Sequence, residues 1–104
     1  MACGVLFTVH GKVQGVGYRY LVLVMAKRHR INGIVRNVSD GSVEIFAIGN
    51  ADSIDAFAKG IDVDLQGGAD VMRIEREDIG GSELSKLGLD AEYMGFRIGK
   101  TRQA

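Results

Sequence analysis

Tyr18-Arg-Tyr-Leu-Val-Leu-Val-Met-Ala-Lys-Arg-His-Arg-Ile31 is the stretch on which the fold turns. Its centre, Leu21 to Val24, suits a buried strand as well as a helix. Length and ends separate the two readings. The run is much longer than the about 5–6 residues of an ordinary strand. Lys27, Arg28 and Arg30 crowd its last turn, where cations complement the negative end of a helix dipole. Asn32-Gly33 then offers a left-handed stop. The spacing predicts a helix over 18–31.

On either side the pattern changes to period two. Val5, Phe7 and Val9 alternate with Leu6, Thr8 and His10, a first strand. Gly11 to Gly17 is a loop into the helix. Beyond the helix, Ile34 to Val38 and Val43 to Ile48 are strands joined by Ser39-Asp-Gly-Ser42, and Asp-Gly between β-prone runs marks a hairpin. Asp52 has the chemistry of an N-cap, followed by Ile54, Phe57, Ala58 and Ile61 on one helical stripe. Gly60 weakens that helix by about 1 kcal/mol relative to alanine, so its end is expected nearby. After a glycine-containing connection over 65–70, Val71 to Glu77 alternates again as a fourth strand. Residues 79–94 give no regular pattern and are read as an irregular excursion with one short turn. Phe96 to Ile98 is a short closing edge strand. The order strand, helix, strand, strand, helix, strand predicts an α+β, ferredoxin-like βαββαβ sandwich: an antiparallel sheet with two helices on one face and an additional C-terminal edge strand.

The bulk numbers narrow the functional classes. The 104 residues form one expected domain, 1–104, large enough for its own core. Thirteen basic residues balance thirteen acidic ones, so no global field recruits nucleic acid or an anionic membrane. Any anion site is local. A single cysteine, Cys3, cannot form an internal disulfide, and Met1 to Phe7 has neither the basic lead nor the apolar length of a secretion signal. A monomeric cytoplasmic protein is expected. With no proline, the turns fall to glycine, asparagine and aspartate.

One loop has the residues of an anion receptacle. Gly15 and Gly17 flank Val16, and Arg19 falls in the first turn of the predicted helix. The amides of Gln14, Gly15, Val16, Gly17, Tyr18 and Arg19, aided by the helix N-terminus, would surround a phosphate, with the guanidinium closing the cradle. Gly-x-Gly alone is a weak signal. The third glycine of a dinucleotide fingerprint is missing and no Gly-Lys-Ser/Thr follows, so neither a Rossmann loop nor a P-loop is present. Asn37, just ahead of the hairpin turn, is a neutral donor and acceptor suited to orienting water. Arg36 alternates away from it and reads as a surface charge. His10 reads as a satisfied sheet residue, His29 as a solvated helix end, and Cys3 lacks the partners of a metal carrier.

Val13-Gln-Gly-Val-Gly-Tyr-Arg19 together with Gly33-Ile-Val-Arg-Asn-Val-Ser-Asp-Gly-Ser-Val-Glu44 closely resembles the two signatures of the acylphosphatase family. The resemblance implies hydrolysis of the carboxyl–phosphate anhydride of a small-molecule acyl phosphate to carboxylate and inorganic phosphate, with no metal and no organic cofactor. It implies that Arg19 binds the phosphoryl group, that the backbone of 14–19 lines the cradle, and that Asn37 positions water. Phosphate or sulfate would bind as product-like ligands. Departures are Ile34, where the family usually has an aromatic residue, and Gln66-Gly-Gly-Ala69, where Gly-Pro is common. The alternative is a non-catalytic phosphate- or carbamoyl-phosphate-binding module on the same fold.

Overall fold

In a computed structural model, which describes residues 3–89 and 95–104, strand β1 (Cys3–Lys12) leads into helix α1 (Tyr18–Arg28). Strands β2 (Asn32–Asn37) and β3 (Val43–Gly49) form the hairpin. Helix α2 (Ala51–Ile61), strand β4 (Asp70–Asp78), a short helix α3 (Gly81–Lys86) and strand β5 (Phe96–Ile98) complete the order. The sheet runs β4-β1-β3-β2-β5. β1 pairs antiparallel with both β3 and β4, β2 pairs antiparallel with β3, and β5 lies parallel to β2. This is the ferredoxin-like arrangement expected from the sequence.

Side-chain alternation decides the layers. Val5, Phe7 and Val9 are buried and face α1 and α2, together with Val35, Val43, Ile45 and Ala47. α1 contributes Tyr18, Val22 and Ala26, spaced by four, and α2 contributes Ile54, Phe57 and Ile61. Burying each large apolar side chain is worth roughly 1.5–3 kcal/mol. The helical reading of 18–31 wins because that spacing delivers one full face to the sheet. Phe57 meets Phe7 edge to face, with ring centroids 5.9 Å apart.

Several boundaries differ from expectation. α1 stops at Arg28, because the left-handed residue is Arg30 (φ 57°) and the chain has turned before Asn32-Gly33. Gly33 instead lies within β2, where a Cβ would come 1.8 Å from the Phe46 carbonyl oxygen. The N-cap of α2 is Asn50, not Asp52: Asn50 Oδ1 accepts from the Ser53 amide at 2.8 Å. The end of α2, by contrast, falls where expected, at Ile61 beside Gly60, whose missing side chain leaves room for Met25 of α1; a Cβ there would sit 2.9 Å from Met25 Sδ.

The sheet also has a covered second face. Residues 79–89 are more ordered than expected, because α3 and the turn after it bring Leu84 and Leu89 into a cluster with Ile34, Phe46 and Ile48. These residues alternate with the members of the main core, so α3 lies opposite α1 and α2. The remainder of the expected excursion, residues 90–94, lies outside the described residues.

Candidate active site

The loop between β1 and α1 ends in two glycines with left-handed backbone, Gly15 (φ 72°) and Gly17 (φ 77°). Among the described residues, nothing beyond the adjoining residues of the chain lies within 4 Å of a Cβ built at either, so conformation and not crowding calls for glycine. An L-residue there costs about 1–2 kcal/mol. Gly17 is the N-cap of α1. It offers no side-chain cap, and the first turn holds no acidic residue. The amides at the head of α1 are thus left without a side-chain cap, the setting in which helix N-termini hold anions.

Tyr18 fixes that head in place. Its ring is buried and its hydroxyl donates to the Ile61 carbonyl at the end of α2, at 2.7 Å. Burial, helped by the Asp62 charge, raises its pKa well above the ordinary 10.0, so the phenol stays protonated as the donor. Arg19 follows, half-buried, and among the described residues its guanidinium has no hydrogen-bond or ion-pair partner. Gly15, Gly17, Tyr18 and Arg19 line a pocket of about 200 Å³ together with Val13, Tyr20 and Ile98.

Gln14 and Val16 are expected in the cradle through their backbone amides, and their side chains point elsewhere. Val16 packs against the main core. The Gln14 side chain donates to the carbonyls of Val38 at 2.7 Å and Ser42 at 2.8 Å, tying the loop to the β2–β3 hairpin. Only its backbone remains for a ligand.

Asn37 closes β2, on the same sheet face as Val35 and opposite Val43. It is not among the residues lining the pocket. Its Oδ1 is buried without a hydrogen-bond partner among the described residues, a vacant acceptor of the kind proteins rarely leave unused. The residue is held on both sides. Its carbonyl accepts from the Arg102 amide at 2.8 Å, and Val38, next in sequence, takes the Gln14 amide. The turn beyond is pinned by Asp40, whose Oδ1 accepts from the Ser42 hydroxyl at 2.6 Å and the Ser42 amide at 2.9 Å. Those bonds hold the Asp40 carboxyl below its ordinary pKa.

Arg36 corrects the sequence reading. It does alternate away from Asn37, but it is half-buried, with Nε donating to Glu44 at 2.7 Å and the guanidinium over the Phe46 ring at 5.4 Å. Glu44 also accepts from Arg102 Nε at 3.2 Å. His10 is satisfied by Glu75, as expected. Tyr20 and Ile98 were not anticipated at the pocket. Tyr20 adjoins Arg19 in sequence, whereas Ile98 reaches the site only because β5 returns beside β2.

Residues 5–86 match the acylphosphatase family model. The chain belongs to the acylphosphatase family. An acylphosphatase of Methanospirillum hungatei is 43% identical over 70 residues, spanning 67% of this chain and 77% of that one. One from Bacillus licheniformis is 51% identical over 53 residues, which is 51% of this chain and 59% of that relative. The solved structure of an acylphosphatase from Coxiella burnetii superposes with a TM-score of 0.74 at 31% identity, covering 94% of this chain and 93% of that one. An acylphosphatase is an enzyme that hydrolyses acyl phosphates, and this membership does not favour a purely ligand-holding module.

Proposed function

We propose that the loop of residues 14–19 and Arg19 hold the phosphoryl group of an acyl phosphate while Asn37 positions the attacking water. The observation that carries this reading is the half-buried guanidinium of Arg19, unpaired among the described residues, beside an uncapped helix N-terminus. Each charge-assisted hydrogen bond to a phosphoryl oxygen contributes about 1.5–3 kcal/mol. Several backbone donors with the paired N–H groups of Arg19 suffice to fix the group and to stabilise its charge as it transfers.

The reaction asks little more of the protein. The carboxylate is a good leaving group. Water forms a bond to phosphorus as the bond from phosphorus to the acyl oxygen breaks, and the water proton passes to a phosphoryl oxygen of the substrate. Asn37, at the end of β2, contributes the orientation of that water. No metal or organic cofactor takes part in this scheme. The enzyme acts as a cytoplasmic monomer, a setting that suits the exposed unpaired thiol of Cys3.

Inorganic phosphate, the product, tests the cradle directly. It raises the melting temperature of the wild-type chain, and Arg19→Ala loses that protection while keeping the fold. Protection that persists in Arg19→Ala would remove Arg19 from the phosphoryl site.

A further inference from the structure

The lining of the pocket divides by chemistry. Gly15, Gly17 and Arg19 supply backbone amides and a cation, whereas Tyr20 and Ile98 supply an aromatic ring and a branched aliphatic chain. Both are unusually bare, with Tyr20 67% exposed and Ile98 42% exposed. Their placement follows from the fold. Tyr20 stands in the first turn of α1, beside the residue that faces the phosphoryl group. On β5, Phe96 packs into the core on the helix side, so Ile98, two residues on, projects from the same face toward the head of α1. Val24, one turn along from Tyr20, is also exposed and extends the apolar strip. Among the described residues, Arg19 is the only charged side chain lining the pocket.

We propose that Tyr20 and Ile98 receive the acyl group of the substrate and make the enzyme selective for acyl phosphates with an aromatic or branched apolar acyl moiety. The proposal rests on the functional reading above, which occupies Arg19 with the phosphoryl oxygens. With that cation engaged, no lining side chain among the described residues balances a second charge on the acyl part. An apolar acyl group instead removes the Tyr20 ring and the Ile98 side chain from water as it binds. Acetyl phosphate, with one methyl group, covers little of either.

The test compares kcat/KM for benzoyl phosphate and acetyl phosphate in the wild type, Tyr20→Ala, Ile98→Ala and Tyr20→Phe, with circular dichroism to verify folding. The wild type favours benzoyl phosphate. Each alanine variant lowers the benzoyl-to-acetyl ratio about tenfold, the equivalent of about 1.4 kcal/mol, and Tyr20→Phe preserves it. Equal losses on both substrates, leaving the ratio unchanged, would mark the residues as structural and overturn the proposal. So would a ratio that falls as far in Tyr20→Phe, which would assign the effect to the phenol hydroxyl. Turnover of both substrates without preference in the wild type would overturn the acyl site and leave the phosphoryl site standing. Turnover of neither would overturn the functional reading and this proposal with it.

Discussion

Gln14 and Val38 are joined across the site by a 2.7 Å hydrogen bond from the side-chain amide of one to the carbonyl of the other. A second bond, to Ser42 at 2.8 Å, makes the tether bidentate. Gln14 belongs to the loop that ends at Arg19, and Val38 follows Asn37. The two halves of the proposed machinery, which come from separate strand connections, are therefore braced against each other by one side chain. The Arg102 amide, bonded to the Asn37 carbonyl, braces the strand end from the other edge.

Gln14→Ala is expected to weaken substrate binding and turnover together, because both the cradle and the strand end lose their shared reference. The stability cost is small, about 1 kcal/mol. Val38 and Ser42 carbonyls each keep a backbone donor, from Gly41 and Val38 respectively, so neither is left unpaired. Urea denaturation and steady-state kinetics with benzoyl phosphate check the two parts. A variant with unchanged kcat/KM would show that the brace is dispensable.

The glycines separate into two kinds with different expected costs. At Gly33 (φ 141°) a Cβ would lie 1.8 Å from the Phe46 carbonyl oxygen, and the strand pairing there cannot yield. Gly33→Ala is expected to destabilise by more than about 3 kcal/mol, at the severe end for single substitutions. Gly15→Ala meets open space and only the left-handed backbone penalty of about 1–2 kcal/mol, so that variant folds but loses phosphate protection as the loop changes shape. Thermal melts with and without phosphate separate the two. Equal destabilisation at both positions would contradict the assignment.

Much of this was legible in the sequence, and the failures have physical causes. Alternation in Val5–Val9 and the Asp40-Gly41 turn located β1 and the hairpin, because period two and turn chemistry are local properties. The C-terminal limit of α1 was missed because Arg30 adopts the left-handed conformation normally given to glycine or asparagine. Gly33, which looked like the stop, is required instead by the Phe46 backbone it touches. Arg36 alternates away from Asn37 and so reads as a surface charge on the outer face of the sheet, yet Glu44 and the Phe46 ring hold it half-buried there. Leu84 and Leu89 cover that face, and the residues that place them there carry no clear periodic pattern. Within the site, Gly15, Gly17 and Arg19 lie in one contiguous motif and were readable. The bracing role of the Gln14 side chain and the approach of Ile98 depend on contacts between distant parts of the chain, which no local spacing encodes.

Asp40 gives the hairpin an acid limit. Its carboxyl is held below the ordinary 3.8 first by the Ser42 hydroxyl, then by the Ser42 amide, with smaller help from the charges of His10 and Arg102. A depressed folded-state pKa means that the stabilisation is fully present above the unfolded value and is lost as pH falls through the lowered one. Ser42→Ala, which removes the leading cause, should move the acid-side loss of hairpin order toward higher pH. Amide exchange or NMR shifts of residues 38–43, followed below about pH 4, check the direction. An acid limb that does not move would mean that the Ser42 hydroxyl does not set it.

The most direct measurement is hydrolysis of benzoyl phosphate by the purified chain in EDTA, beside Arg19→Ala and Asn37→Ala, with phosphate protection of each measured by thermal melt. The account predicts saturable wild-type turnover. It predicts loss of both turnover and protection in Arg19→Ala, and loss of turnover with protection retained in Asn37→Ala. The Asn37 variant should also keep wild-type stability or gain slightly, since it removes a buried acceptor with no partner among the described residues. Turnover that survives in Asn37→Ala, or protection that survives in Arg19→Ala, would contradict the division of labour between holding the phosphoryl group and positioning the water.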